Sequence, residues 1–252
     1  MRAPRGLKVV RGTDGTMAFA APEVEAWVRA VLERGEQLHE AASRDADELL
    51  EGRGPVPVVS TTAGRWVVRR YRRGGWVAAP LLDDRYLRLG LARPLHEAHV
   101  SHEARRRGIP TPRVVAGAIY PRGPFYRADL ITEYVAGAVD LARMLFDEER
   151  VGRERTDVLR RVGALVTRAA AAGIEHPDLN ARNVLVEPFP GGTSPLLLDL
   201  DRCRVRAPGV LGDAETMLSR LTRSLRKHEE RSRRRLARAE WDALRAGSGA
   251  TG

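Results

Sequence analysis

The eight residues His176-Pro177-Asp178-Leu179-Asn180-Ala181-Arg182-Asn183 put an imidazole, a carboxylate and a carboxamide at relative positions one, three and eight, and Leu196-Leu197-Leu198-Asp199-Leu200-Asp201 follows shortly after. Asp and Asn oxygens are hard ligands suited to Mg²⁺, which keeps several waters and is bound through one or two protein groups plus substrate phosphates. The apolar stretches 183–187 and 196–201 flank the glycine- and proline-rich 188–195 and read as two strands of a hairpin. That pairing would bring Asn183 and Asp199 to the same end of the hairpin as metal ligands. Asp178, five residues before Asn183, would then be free to take a proton from an acceptor hydroxyl. A base, two metal ligands and an acceptor are what phosphoryl transfer needs, since there the protein mainly positions the reactants and offsets charge. Asp and Asn also cap turns, so the chemistry is carried by the set in this order rather than by any one residue. His176 reads as support for the loop, because Asp178 already supplies the base.

The elements that must hold these residues can be read in part. Residues 22–41 have Pro22 at the start and Val24, Trp27, Val28, Val31, Leu32 and Leu38 on one face, which predicts a helix. From Val56 to Val77 the chain reads as short β-branched strands around the turn at 62–65. A helix over 93–107 stops at Gly108 and the prolines of 109–112, and a second strand pair surrounds 121–124. After Asp140 the pattern turns helical, apart from the hairpin of the opening motif. A β-rich first half therefore meets a helical second half near residues 133–140.

The two motifs resemble the protein-kinase catalytic loop, H-R-D-x-x-x-x-N, followed by the metal-binding Asp of D-F-G. The wording "HPDLNARNVL" and "LLLDLDRCR", with "WVVRRYRRGGWVA", "DDRYLRLGLAR", "RGIPTPRVVAG" and "FYRADLITEYVAGAVDL" in order, is similar to the lipopolysaccharide-core kinases and within them to the family of 3-deoxy-D-manno-octulosonic acid (Kdo) kinases. The likeness covers roughly residues 50–245. It implies an α+β, protein-kinase-like bilobal fold with a β-rich N-lobe and a compact, mostly helical C-lobe. The plan is then a helical extension over 1–45, an N-lobe over 46–135, a C-lobe over 136–245 and a frayed tail over 246–252.

The resemblance also implies further site residues. ATP and Mg²⁺ would be the cofactors. Gly52 and Gly54 would belong to a short phosphate-covering turn, although a lone Gly-x-Gly is equally a plain turn. Arg69 stands where kinases place a strand Lys on the phosphates, and a guanidinium can bridge phosphates and a carboxylate. Its neighbour Arg70 would face the other side of the strand. Glu97 would orient Arg69, with Glu103 as the substitute, and Glu133 lies in a segment, Ile131 to Tyr134, whose backbone would meet adenine. Asp201 could be a further carboxylate at the metal or an ion-pair partner of Arg202. Pro177 and Asn180 depart from the protein-kinase loop, no A-P-E segment follows Asp199, and only about fifty residues remain. These departures favour a small or lipid-linked acceptor over a protein.

The net charge of +10 suits an anionic partner. Ten Arg or Lys stand against four Asp or Glu in 218–245, and eight Arg against two Asp in 65–93, so each cluster is +6. The implied acceptor is a Kdo-lipid A precursor, and the implied surface is the anionic cytoplasmic face of the inner membrane, met peripherally. Leu218, Leu221 and Leu225 alternate with Arg220, Arg223 and Arg226, as in a helix that either lies on a membrane or packs on the core. One cysteine, no signal-like apolar run and no stretch near the ~18 residues of a membrane span fit a cytoplasmic protein. A nucleic-acid module would leave the Asp/Asn set unexplained, so no nucleic acid is expected. A small atypical protein kinase or an antibiotic phosphotransferase is the alternative on the same fold.

Overall fold

The computed structural model describes residues 3–12, 14–50, 55–72, 85–87, 90–147, 152–189 and 192–249. The chain divides into two compact units. The first comprises 1–102 and 113–134, and the second 103–112 and 135–252.

The first unit is built on one antiparallel sheet. Its strands are β1 (Lys8–Arg11), β2 (Met17–Ala20), β3 (Glu48–Leu50), β4 (Val56–Thr61), β5 (Gly64–Arg70), β6 (Tyr86–Leu87), β7 (Val114–Arg122) and β8 (Phe125–Glu133). They lie in the order β1-β2-β7-β8-β5-β4-β3, with β6 also on β8. Where a helical extension is expected over 1–45, the structure shows a hairpin followed by two helices. Asp14 and Gly15 both have positive φ, 53° and 74°, the conformation that Asp-Gly adopts readily in tight hairpin turns. The hairpin joins the sheet through Met17↔Ile119 to Ala20↔Ala116. Gly117 is needed there, since a Cβ at that position would lie 2.5 Å from the Phe19 ring.

Strand periodicity gives the sheet two apolar faces. Ala18, Ala20, Val59, Trp66, Val68 and Ile131 pack with α1 (Pro22–Glu33) and α2 (Leu38–Arg44). Phe19, Tyr71, Ala128 and Leu130 pack on the opposite face with Leu95 and Ala98 of α3 (Arg93–Arg106). The single helix expected over 22–41 is broken. Gly35, at φ 71°, lets Glu36 N–H reach Val31 O at 3.2 Å and Gly35 N–H reach Leu32 O at 3.0 Å, the pair of bonds that closes a helix on a left-handed glycine. The apolar pattern on either side hid this stop.

The second unit holds α4 (Leu141–Phe146), α5 (Gly152–Ala171), α6 (Ala214–Arg231) and α7 (Arg238–Gly247). With them are β9 (Val139–Asp140), β10 (Ile174–Glu175), β11 (Val184–Phe189), β12 (Gly192–Leu197) and β13 (Arg204–Val205). β11 lies between β12 and β9, and β10 pairs with β13. Met217, Leu221 and Leu225 of α6 are buried, so the apolar side of this basic helix is spent on its own unit's core. α5 and α7 touch backbone to backbone. A Cβ on Gly163 would collide with Leu244 O, and one on Gly247 with Arg160 O.

Candidate active site

β11 and β12 form the hairpin read from the sequence, with Val184 opposite Leu197. Beyond that pair Leu198 N–H donates to Asn183 O at 2.9 Å, which holds Asn183 and the residue before Asp199 together at one end. β12 stops at Leu197, and Asp199 turns the chain in a left-handed conformation, φ 58°, ψ 57°, before the single helical turn Leu200–Arg202. Only Gly and, less readily, Asn or Asp visit this region.

The loop before β11 is held by its own side chains. Asn180 Oδ1 accepts from Arg182 N–H at 3.0 Å and caps the turn Ala181–Asn183. Asn180 Nδ2 and Asn183 Nδ2 donate to Asp178 O at 2.8 and 3.1 Å. Because a carbonyl can only accept, the Asn183 amide is fixed with nitrogen toward Asp178 and Oδ1 turned away. That oxygen and the Asp199 carboxylate are the hard donors Mg²⁺ takes, so the residues fit the ion. Among the described residues no group of three or more His, Cys, Asp or Glu could hold a metal by itself. A Mg²⁺ ion completed by phosphate oxygens and water does not require one.

His176 is buried, and its Nε2 lies 2.9 Å from Leu198 O. The carbonyl accepts, so Nε2 carries the proton. Nδ1 is then a buried acceptor with no hydrogen-bond partner among the described residues. Burial holds the imidazole below its ordinary pKa, which keeps it neutral and makes it a brace between the loop and the segment leading into Asp199.

Asp178 keeps its carboxylate half exposed, and Oδ2 accepts from Arg202 Nη1 at 2.8 Å. Nothing in the sequence marked this pair, which depends on the left-handed turn at Asp199 swinging Arg202 back to the loop. Asp178 first, and Asp201 and Asp199 less, hold the Arg202 guanidinium above its usual pKa against the opposing effect of burial.

The first unit carries Arg69, Glu97 and Glu133, and Glu103 begins the second. Arg69 of β5 donates from Nη2 to Glu97 Oε1 of α3 at 2.7 Å, with the Glu97 side chain 5% exposed. Tyr71 OH donates to Glu97 Oε2, and the Arg69 guanidinium lies 5.4 Å from the Tyr71 ring centre. Arg70 points to the other side of the sheet, to Asp129 and Gln37. Glu103 is bound instead to Arg106 and Arg107, and their hydrogen bonds, Arg106 foremost, pull its pKa to about 2. Glu133 N–H donates to Arg113 O at 3.0 Å, and its carboxylate accepts from Arg113 N–H at 2.8 Å. Tyr134 N–H donates to Arg65 O at 3.0 Å, so neither of these two backbone donors is open to a base. Gly52 and Gly54 lie outside the described residues.

The profile of the "Lipopolysaccharide kinase (Kdo/WaaP) family" matches residues 36–247. A 3-deoxy-D-manno-octulosonic acid kinase of Xanthomonas oryzae pv. oryzae (strain PXO99A) is 37% identical over 178 residues, 70% of this chain and 68% of that one. Its counterpart in Xylella fastidiosa (strain M12) is 34% identical over the same shares. The solved structure "WaaP in complex with acyl carrier protein" superimposes with a TM-score of 0.56 at 15% identity, covering 96% of this chain and 88% of that one, and establishes the protein-kinase-like fold. With the profile spanning both compact units, the chain belongs to the lipopolysaccharide kinase (Kdo/WaaP) family.

Proposed function

We propose that this kinase transfers the γ-phosphoryl group of ATP to a hydroxyl of the Kdo sugar in a Kdo-lipid A precursor. The observation that carries the reading is the loop and hairpin end, where Asp178 O orients the Asn183 amide and the Leu198–Asn183 bond sets Asp199 beside it. The likeness to kinases named for this sugar acid supplies the acceptor.

Asp178 accepts the proton of the acceptor hydroxyl as its oxygen bonds to the γ-phosphorus. The bond from that phosphorus to the β,γ-bridging oxygen breaks, and ADP leaves. Asn183 Oδ1 and Asp199 would hold Mg²⁺, which when bound offsets the charge on the phosphates. Arg69, aimed by Glu97, would hold phosphate oxygens in the role other kinases give to Lys. The first unit is thus read as the N-lobe and the second as the C-lobe.

Among the described residues no helix is long and apolar enough to cross a membrane. Peripheral contact with the anionic inner-membrane face is supported by the exposed Arg223, Arg226 and Lys227 of α6 and by Val210 and Leu211, 50% and 69% exposed. Each basic side chain near such a surface contributes about 1 kcal/mol.

The test is transfer of γ-labelled phosphate from ATP to a Kdo-lipid A precursor in the presence of Mg²⁺. Asp178→Ala should lower the rate by about 10²–10⁴-fold, the usual contribution of a positioned base. Label on protein or on an aminoglycoside, with none on the lipid, would keep the fold and overturn the acceptor.

A further inference from the structure

Arg202 grips Asp178 by one N–H, Nη1 to Oδ2 at 2.8 Å. Arginine pairs with carboxylates most strongly through two parallel N–H···O bonds, and here the fork is half used. Its side chain is 58% exposed, and Nε and Nη2 have no hydrogen-bond partner among the described residues. The guanidinium therefore sits against the base with donors to spare, on the turn that Asp199 opens. The hard oxygens that suit Mg²⁺ come from Asn183 and Asp199, so the arginine remains for something else anionic that arrives next to Asp178.

Building on the Kdo reading, we propose that Arg202 binds the carboxylate of the acceptor sugar and so selects a sugar acid and sets which hydroxyl meets Asp178. A group held on this fork lies within a few ångströms of the Asp178 oxygens. Carboxylate and reacting hydroxyl must then belong to one sugar ring, as they do in Kdo. A neutral sugar would leave the fork on Asp178, with the base still tied up.

The experiment crosses enzyme and acceptor. Wild type, Arg202→Gln and Arg202→Lys are assayed on the Kdo-lipid A precursor with its sugar carboxylates intact or converted to neutral amides. Loss of a charge-assisted fork should raise the wild-type acceptor KM about tenfold or more on amidation. Arg202→Gln should raise the KM of the intact acceptor by a similar factor and leave that of ATP unchanged. Amidation should then cost this variant almost nothing further, and Arg202→Lys should fall between. If amidation costs wild type and Arg202→Gln the same factor, Arg202 does not touch the carboxylate. If the KM of ATP rises instead, the fork serves nucleotide phosphate, and the inference is again overturned while the acceptor reading stands. No transfer to the intact acceptor by wild type would sink the Kdo reading itself, and this inference with it. Should the glutamine variant fail to fold, the lysine variant decides by the same comparison.

Discussion

His176 is a proton acceptor that the fold keeps from accepting. Its Nε2–H is committed to Leu198 O, and Nδ1 is buried without a donor among the described residues. An unfolded chain takes up the proton near pH 6.5, whereas in the native state burial lowers the pKa. Below that pH the unfolded state binds more protons, so stability falls as pH drops through about 6.5. His39 and His228 are also lowered by burial and act in the same direction. Unfolding free energies from urea titrations at pH 7.5 and 5.5 should differ, by up to about 1.4 kcal/mol from the buried His176 and by less from the two partly exposed imidazoles. His176→Asn should lower stability at both values and shrink the difference between them. Most of the arrangement at this scale was legible, because Asp178, Asn183 and Asp199 stand close together in the chain. The Arg202 contact was not, since it arises from one backbone conformation at Asp199 and has no counterpart in spacing.

Strand alternation decides between two adjacent arginines. On β5, Arg69 faces α3 and Glu97, while Arg70 faces α2 and the fully buried Asp129. The two should fail differently. Glu97→Gln keeps the shape but removes the charge that aims Arg69, and kcat/KM for ATP should fall about tenfold or more with little change in melting temperature. Arg70→Gln leaves Asp129 without its cation. It should cost about 3 kcal/mol of stability, the usual penalty for breaking a buried pair, and leave the KM of ATP alone. Thermal melts and ATP kinetics on both variants check this. Period-two reading separated the arginines, yet it could not show that Tyr71, two residues on and on the same face, also serves Glu97. Nor did the apolar pattern of α6 distinguish a membrane face from a core face. Burial of Met217, Leu221 and Leu225 does.

Across the molecule, the least legible part was the beginning. Residues 17–20 pair with a strand about a hundred residues away, and no local signal sets that partner, although Asp14-Gly15 does announce a turn. The family profile begins only at residue 36, while Val10, Ala18 and Val28 are already part of the first core. The second unit has a comparable dependence at its other end. Replacing Gly163 or Gly247 by Ala must force α5 and α7 apart, because each added methyl meets backbone that cannot rotate away. Overpacking of this kind costs about 1–3 kcal/mol, measurable as a lower melting temperature. The crossing also has a consequence in time. During synthesis the loop 176–183 leaves the ribosome some sixty residues before α7 does, so the helix that clasps α5 arrives well after it. A message cut short before residue 238 would carry every candidate site residue named above and still lack the helix that packs on α5.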